Sequence, residues 1–291
     1  MKNLYIVFYL NEEGKKRIDP QYLFMYIRRQ EFYREVRFRN FGSQRPEFNF
    51  NDMSEIRMPL PPLSVQQKYV DIYNSMVANQ KCYERGLEDL KLVCDAYIED
   101  LRRKSSCERL EDYIKRYDVR NGKNGTKNVM GVSTSKQFRP PTSKVNKEEL
   151  ANYKVCNPRQ IAFVQTTHNE KVFTYAFNNT DEDIVVSSVN EVFSTDEKRL
   201  LPEYLCMFFN RAEFDRYARF HSWGSARETF TWQDLICVEI PIPDISIQKA
   251  IAELFTVYNK RKQINERLKA QIKDICPVLV KGAVEEGKRN D

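Results

Sequence analysis

An internal repeat constrains the fold of this chain more than any other feature of its sequence. Residues 19–101 align without a gap with residues 201–283, at an offset of 182 positions. The segment Asp19-Pro-Gln-Tyr-Leu-Phe-Met-Tyr26 returns as Leu201-Pro-Glu-Tyr-Leu-Cys-Met-Phe208. A repeat of this length predicts two copies of one structural unit and therefore a pseudo-twofold architecture.

Length and composition agree with about two folded domains. Of the 291 residues, 41% are hydrophobic and 30% are charged. The net charge of +6 allows a nucleic-acid partner but does not require one. The seven cysteines form no CxxC pair, which favours reduced thiols. Because we find neither a signal peptide nor an apolar run of the ~18 residues that cross a bilayer, we expect a soluble cytoplasmic protein.

Each copy of the repeat ends in a long predicted helix. Residues 64–104 predict a helix that begins at Ser64 and spans about 60 Å at ~1.5 Å per residue. The second helix begins at Ser246, and Pro277 is expected to kink or end it about a turn later. Both helices carry an apolar stripe, which neither can bury alone, so we expect an antiparallel pair. The stripe residues expected at the helix-pair or partner interface are Tyr83, Leu87, Leu90, Cys94, Tyr97, Leu101, Leu268, Ile272 and Ile275.

The segment between the helices predicts an α/β domain of ordinary size. Residues 155–165, 171–177 and 183–189 have the β-branched and aromatic content of strands, and residues 204–220 predict a helix. The first residues of the chain match only the last part of this domain. The predicted organisation is therefore the end of a first domain at 1–61, a helix at 62–104, a complete second domain at 105–242 and a second helix at 243–291.

Residue patterns typical of catalysis are missing from the sequence. The only histidines, His168 and His221, are far apart, and a lone histidine is more often structural than catalytic. No glycine-rich phosphate-binding motif is present. Pro243-Asp244 followed by Gln248-Lys249 resembles a nuclease motif, but a glutamine stands where a metal-binding carboxylate is needed. We therefore predict a non-catalytic protein with no metal and no cofactor of its own.

The strongest binding signal is a basic run from Tyr113 to Lys147. It contains nine lysines and arginines against one acidic residue, Asp118, with glycines and short polar residues between them. This composition suits phosphate contacts and hydrogen bonds to base edges, although an ordinary solvated loop is the alternative. The candidate DNA-binding residues are Lys115, Arg116, Arg120, Lys123, Lys127, Ser133, Thr134, Ser135, Lys136, Gln137 and Arg139, with Thr166, Thr167 and His168 in a second, weaker loop.

A repeated Gly-Ser-x-Arg element has two interpretations. It occurs as Gly42-Ser-Gln-Arg45 and as Gly224-Ser-Ala-Arg227, in each copy before an aromatic segment that we expect to be a strand, residues 48–50 and 230–232. A turn that needs glycine is the structural interpretation, and a phosphate contact by Arg227 is the functional one. The helix before the element carries arginines in both copies: Arg34, Arg37, Arg39, Arg216 and Arg219.

With these features duplicated, the chain resembles the specificity subunit of Type I restriction-modification systems. The most specific segments are Pro59-Leu-Pro-Pro-Leu-Ser-Val-Gln66 and Pro241-Ile-Pro-Asp-Ile-Ser-Ile-Gln248, each leading into a long helix. The resemblance covers essentially the whole chain. It implies α/β target-recognition domains, each of which reads one half of a split double-stranded DNA sequence, joined by two long helices that form an antiparallel coiled coil.

The resemblance also implies a set of partners. The helix pair would set the distance between the two half-sites and bind two methyltransferase subunits, and the restriction subunits would join through those. S-adenosylmethionine, Mg and ATP would belong to these partner subunits, so that the specificity subunit does no chemistry itself.

The sequence departs from the family pattern in its first domain. Residues 1–61 lack a counterpart of the basic run, so we expect an N-terminally truncated recognition domain and a chain that reads one half-site. A second specificity fragment or another copy of the chain could supply the rest. A coiled-coil scaffold that binds protein rather than DNA and an inactive fragment of a recombining locus are the alternatives.

Overall fold

A computed structural model describes residues 7–40, 48–123, 125–142, 144–146, 149–166, 172–224 and 228–290. The chain forms two compact units. The first unit contains Met1–Leu87 and Lys260–Asp291, and the second contains Glu88–Asn259. Each long helix therefore contributes residues to both units.

Nine α-helices lie within the described residues. In chain order they are α1 (Glu12–Lys15), α2 (Pro20–Ile27), α3 (Gln30–Arg39), α4 (Phe50–Ser54), the long helix α5 (Leu63–Lys104), α6 (Pro202–Phe209), α7 (Ala212–Phe220), α8 (Trp232–Ile236) and the long helix α9 (Ile245–Asn290). The repeat relates α2, α3 and α4 to α6, α7 and α8, so the predicted internal repeat is confirmed at the level of secondary structure.

The core of the first unit joins α2 and α3 to parts of both long helices. Proline stands at the start of α2, and the Asp19 carboxylate accepts hydrogen bonds from the amides of Gln21 and Tyr22, which fixes this helix end. Burial of apolar side chains then holds the elements together, at roughly 1.5–3 kcal/mol for each large residue. The buried residues are Tyr22, Met25, Tyr26, Phe32, Val65, Val70, Tyr73, Cys276, Leu279, Val280 and Ala283.

Within the first unit, α5 and α9 run antiparallel. Lys68 of α5 pairs with Glu286 of α9 at 2.8 Å, and further along α5 Glu84 pairs with Lys269 at 2.9 Å. The residue numbers rise along one helix as they fall along the other, which confirms the predicted antiparallel pair. Beside the second ion pair, the buried Gln80 amide donates to Oδ1 of the buried Asn265 at 2.9 Å.

The predicted apolar stripe coincides only partly with the packed face of the helices. Cys94 and Leu101 are buried, but Tyr97 is 41% exposed and its neighbour Ile98 is fully buried. The inward position shifts because this end of α5 packs in the core of the second unit, and because 3.6 residues per turn drift from a strict 3.5-residue repeat. The other predicted stripe residues are partly buried: Tyr83, Leu87, Leu90, Leu268, Ile272 and Ile275.

The ends of both long helices differ from the prediction. The amides of Val65 and Gln66 both donate to the Pro62 carbonyl, so α5 begins one residue before Ser64, which is not its N-cap. Helix α9 continues through Pro277 to Asn290. An interior proline destabilises a helix by ~3 kcal/mol, and the buried residues beyond it provide the packing that keeps this segment helical.

A buried glutamine joins the first domain to α5. Gln66 accepts a hydrogen bond from the Asp19 amide at 2.9 Å. Its side-chain amide donates to the carbonyls of Arg17 at 2.8 Å and Pro61 at 2.7 Å. Because Gln66 is fully buried, these three bonds satisfy a polar group that would otherwise destabilise the fold.

The second unit repeats this arrangement at the start of α9. Gln248 accepts from the Leu201 amide at 2.9 Å and donates to the carbonyls of Arg199 and Pro243, each at 2.8 Å. It is also fully buried, and each of its partners lies at the offset of the sequence repeat. The glutamine that ends the Pro-x-Pro-x-x-Ser-x-Gln motif is therefore a structural joint in both copies.

The second unit contains the strands found among the described residues. They are β1 (Cys107–Arg109), β2 (Ile114–Tyr117), β3 (Gly131–Val132), β4 (Phe138–Arg139), β5 (Lys154–Cys156), β6 (Ile161–Val164), β7 (Tyr175–Phe177), β8 (Ile184–Val186), β9 (Asn190–Thr195) and β10 (Glu239–Pro241). An antiparallel sheet has the strand order β2-β9-β6-β7, and β1-β10, β3-β4 and β5-β8 form antiparallel pairs. The predicted α/β fold class is confirmed.

Several predicted elements have different boundaries in the structure. The helix expected at residues 204–220 is divided into α6 and α7, because Arg211 has an extended backbone (φ −71, ψ 143). The segments at 48–50 and 230–232 are not strands. They begin short helices instead, since Asn49 and Thr231 each form a capping box, with Asp52 and Asp234.

The core of the second unit is rich in aromatic rings. Phe173 lies at its centre, with ring centroids of Phe209, Phe214 and Phe230 at 5.2, 5.0 and 5.6 Å. These contacts pack α6 and α7 on the inner face of the sheet. The opposite, smaller cluster of Cys156, Ala162, Ile184, Val186 and Val192 lies under the β3–β4 hairpin.

Candidate nucleic-acid interface

The basic run folds into β2, an irregular segment and the β3–β4 hairpin. Strand β2 is an edge strand of the four-stranded sheet. The amide of Met130 donates to the Val185 carbonyl at 3.0 Å, which attaches the irregular segment to β8. Val132 and Phe138 of the hairpin pack on the smaller apolar cluster. Alternation along a strand then places the neighbouring Arg139 outward, and it is exposed.

Five cations of the basic run are exposed and unpaired. They are Lys115, Lys123, Lys127, Arg139 and Lys144, and none of them forms an ion pair with another described residue. Only Lys115 has an aromatic neighbour, with its Nζ 5.6 Å from the ring centre of Tyr117. Exposure without an ion-pair partner leaves these side chains accessible to an anionic ligand.

Arg116 is oriented by a buried carboxylate. Its Nε and Nη2 each donate to Glu191 at 2.7 Å, and this hydrogen bonding raises the pKa of Arg116. The guanidinium lies 6.0 Å from the ring centre of Trp232. The Arg116 side chain is still 47% exposed. Because an arginine has five N–H donors, Arg116 can also donate hydrogen bonds to a ligand.

Glu191 is the centre of this group. It is 3% exposed, and it also accepts from Lys154 Nζ at 3.3 Å and from Gln165 Nε2 at 2.6 Å. A carboxylate at such a position needs several donors, because burial of an unpaired charge strongly destabilises a fold. Glu191 thereby ties β9 to β2, β5 and the end of β6.

Arg120 has local partners but remains accessible. It pairs with Asp118 at 2.9 Å, and its Nη1 donates to the Asn152 carbonyl at 2.8 Å. The hydrogen bond from Arg120 lowers the pKa of Asp118, so this carboxylate stays ionised. The pair reduces the positive charge that Arg120 presents to a ligand.

Lys136 does not have the solvent-facing position expected of a DNA contact. Its side chain is 8% exposed and pairs with Asp215, with Nζ–O distances of 2.9 and 3.0 Å. Nζ also donates to the Phe209 carbonyl at 2.7 Å, where the last carbonyls of a helix favour a cation. Lys136 fixes the hairpin tip to α6 and α7, and its backbone has a positive φ of 59°.

The short polar residues of the hairpin mostly bond to one another. The Ser133 hydroxyl lies 2.7 Å from the Ser135 hydroxyl and donates to the Gln137 carbonyl at 2.8 Å. Thr134 and Gln137 are partly buried, whereas Ser135 is exposed. These residues shape the turn, and Ser135 is the one best placed to meet a ligand.

The second candidate loop lies beside the loop that follows α7. Thr166 pairs with Thr229 in a β-bridge, and Thr229 pairs with Trp223, which is 79% exposed. The arrangement brings the end of β6 next to the repeated glycine element. Thr167, His168, Arg227 and Lys147, and both Ser-x-Arg segments, lie outside the described residues.

Sequence reasoning missed the residues that orient these cations. Glu191 and Lys154 are buried ions, and Gln165 and Trp232 complete the group around Arg116. The available signal was the lone carboxylate in the apolar strand sequence Asn190-Glu-Val-Phe193, since a charge at a buried strand position needs a partner.

The exposed residues of this region offer hydrogen-bond donors and positive charge. Among the described residues, no group of three His, Cys, Asp or Glu side chains could hold a metal ion. In the same part of the chain, no helix has the length and hydropathy needed to cross a membrane. Solvent-facing cations beside a hydroxyl-rich hairpin can contact a sugar-phosphate backbone and hydrogen-bond to base edges.

Comparison with known proteins places the chain in a defined group. A sequence profile of the Type I restriction modification DNA specificity domain matches residues 2–87 and 116–274. The fold is similar to that of the Type I restriction-modification system S subunit from M. genitalium, with a TM-score of 0.51 and 10% identity over 93% of this chain and 73% of that chain. The HsdS subunit from Thermoanaerobacter tengcongensis gives a TM-score of 0.44 and 13% identity, over 93% and 71%. No curated protein sequence matches significantly.

Proposed function

Since this chain belongs to the Type I restriction-modification DNA specificity family, whose profile covers most of each copy of its repeat, we propose that residues 105–242 read one half of a split DNA target. The chain is a DNA sequence-specificity subunit. Its recognition domain binds the phosphates with the exposed cations of β2, the following segment and the hairpin, and reads bases with side chains between them.

One observation carries this proposal: within one domain, some cations are paired with carboxylates and others are not. Lys136, Lys154 and Arg116 each meet a carboxylate. Lys115, Lys123, Lys127 and Arg139 have no carboxylate partner among the described residues and lie within one stretch of the sequence, residues 115–139. A concentration of unpaired cations is typical of a nucleic-acid surface.

The remaining parts of the chain serve assembly. The helix pair recruits methyltransferase subunits, and restriction subunits join through them. The specificity chain itself is non-catalytic and cytoplasmic, and S-adenosylmethionine, Mg and ATP belong to the partner subunits. A second specificity fragment or another copy of the chain supplies the reading of the other half-site.

The first experiment compares the salt dependence of DNA binding. A triple variant, Lys123→Ala with Lys127→Ala and Arg139→Ala, should bind its target more weakly. Its slope of log K against log salt should fall by about 2–3, since each phosphate contact contributes ~0.9. The measurement is fluorescence anisotropy with a selected duplex across a salt titration.

A matched control removes the same charge elsewhere in the second unit. Lys104, Lys198 and Lys249 are also exposed, so Lys104→Ala with Lys198→Ala and Lys249→Ala should leave the slope within error of the wild-type value. Equal slopes for the two triple variants would refute the assignment of the basic run to DNA binding.

A further inference from the structure

Two phenylalanines at equivalent positions of the repeat are almost fully exposed. Phe38 at the end of α3 is 84% exposed, and Phe220 at the end of α7 is 85% exposed. They are related by the offset that relates the two copies. A ring so far out of the core contributes little to folding, yet both copies keep it.

The same helix face keeps its charged neighbours. Arg34 and Arg216 stand one turn before the rings, with side chains 74% and 72% exposed, and residues four apart share a helix face. Each arginine pairs with a glutamate three residues earlier, Glu31 or Glu213. Arg37 and Arg219 precede the rings directly and are exposed.

Neither the core packing of α3 and α7 nor their helix dipoles explain the exposed phenylalanine rings. The buried faces of α3 and α7 are made by Phe32 and Phe214. The arginines of the last turn complement the partial negative charge of the helix C-terminus, which accounts for Arg37 and Arg219. Neither reason extends to a phenylalanine beside them.

The occurrence of this surface in both copies also indicates that it does not read the DNA target. All the strands of the described residues, and the basic run, belong to the second unit, whereas the exposed Arg–Phe face is present in both units. A surface that is independent of the reading elements and occurs twice fits a ligand that binds twice.

The chemistry favours a protein over DNA as that ligand. The arginines are already partly neutralised by glutamates, and the negative pole of a helix lies at the ring, so phosphates are poorly attracted. A phenylalanine meets duplex DNA against a thymine methyl group or as a wedge that unstacks a base step, and neither contact uses the paired glutamates. By contrast, an aromatic anchor bordered by arginines is the usual composition of a protein interface centre.

We propose that Phe38 and Phe220 are the anchors of two equivalent protein-binding surfaces, each filled by one copy of the same subunit. The subunit offers an apolar pocket for the ring and carboxylates at its rim for Arg34 or Arg216. The identification of this subunit as the methyltransferase rests on the proposed function.

The test measures the number and strength of methyltransferase sites on the full chain. By titration calorimetry and light scattering, the wild-type chain should bind two methyltransferase subunits. Phe38→Ala and Phe220→Ala should each weaken one of the two sites by about thirtyfold, the effect of removing a strong aromatic anchor. The double variant should weaken both sites.

The controls separate this surface from folding and from DNA binding. Tyr33→Ala removes another exposed aromatic ring of α3, 51% exposed, whose counterpart is Asp215, and it should leave both sites unchanged. Melting temperatures of the phenylalanine variants should equal that of the wild type, since the rings are exposed.

Each other result overturns the inference in a recognisable way. Two unchanged methyltransferase sites in the double variant refute it while the proposed function stands. Unchanged sites together with weaker DNA binding assign the rings to DNA instead. A wild-type chain that binds no methyltransferase refutes the partner named in the proposed function, and this identification with it.

Discussion

The cations of the recognition domain have two different roles, fold stabilisation and ligand binding, and the surroundings of each side chain determine its role. Lys136 and Lys127 lie in the same basic run, but Lys136 is buried against Asp215 whereas Lys127 faces solvent. A buried cation of this kind fixes the fold, because the removal of one partner leaves the other charge unsatisfied. An exposed cation is available to phosphate.

Substitution at Lys136 should therefore affect stability rather than the electrostatics of binding. Lys136→Met is expected to lower the free energy of unfolding by about 3 kcal/mol, because Asp215 loses its ion pair in a poorly solvated site. The salt slope of DNA binding should not change. Urea denaturation and anisotropy titrations measure the two quantities.

Lys127→Met is the matched comparison. It should leave the free energy of unfolding unchanged within about 0.5 kcal/mol and reduce the salt slope by about 0.9. If Lys136→Met instead reduced the slope with no loss of stability, Lys136 would be a DNA contact after all.

The sequence identified the basic run but could not distinguish these tasks. The carboxylate that meets Lys136 is distant in the chain, as is Glu191 from Arg116. Pairs of this kind are created by the tertiary fold, and a pattern of neighbouring residues contains no information about them. Lone charges inside apolar strands, such as Glu191, were the one local sign.

Among the elements, the long helices were the most predictable and their packed faces the least. Length, the absence of early prolines and the repeat predicted α5 and α9. Ile98 rather than Tyr97 is the residue that is buried in the core of the second unit, and Pro277 did not end α9, because tertiary packing continues beyond it. The helix propensities of single residues are weaker than the packing of the same helix against a hydrophobic core.

A buried polar pair lies inside the helix pair of the first unit. Asn265→Leu should lower the free energy of unfolding by about 1–2 kcal/mol, because the buried Gln80 amide then keeps only its longer bond, 3.3 Å to Glu84, and one of its N–H groups is left without an acceptor. Adding Gln80→Leu should restore or exceed the wild-type stability, since apolar replacement of both partners removes the unsatisfied group. Urea denaturation of the four proteins of this double-mutant cycle provides the measurement.

Exposed positions on the same helices provide the comparison. Asn79→Leu with Gln263→Leu, both exposed, should change the free energy of unfolding by less than about 0.5 kcal/mol. A double variant at Gln80 and Asn265 that is less stable than the single variant would show that the pair stabilises the helices directly.

At the scale of the whole molecule, the two copies share their helices but not their strands. Both units bury a domain end against the start of one long helix and the end of the other. The strands of the described residues lie in one unit. This asymmetry was visible in the sequence, because the repeat covers the helices and excludes the basic run.

The asymmetry predicts what the 291-residue chain selects from random duplex DNA. Selection followed by sequencing should recover one continuous block of specified bases rather than two blocks separated by an unspecified spacer. The triple variant at Lys123, Lys127 and Arg139 should recover less DNA but the same block, because phosphate contacts position without specifying. Two blocks bound by the chain alone would contradict the reading of a single half-site.

The buried glutamines Gln66 and Gln248 have a consequence for how such chains can change. Both make the same three hydrogen bonds with main-chain groups, and main-chain groups are identical whatever side chains surround them. A crossover at either joint would exchange one domain for another and keep every one of these bonds. A domain could therefore be exchanged at such a joint without the loss of these hydrogen bonds, provided that the new domain also packs on the apolar faces of the two helices.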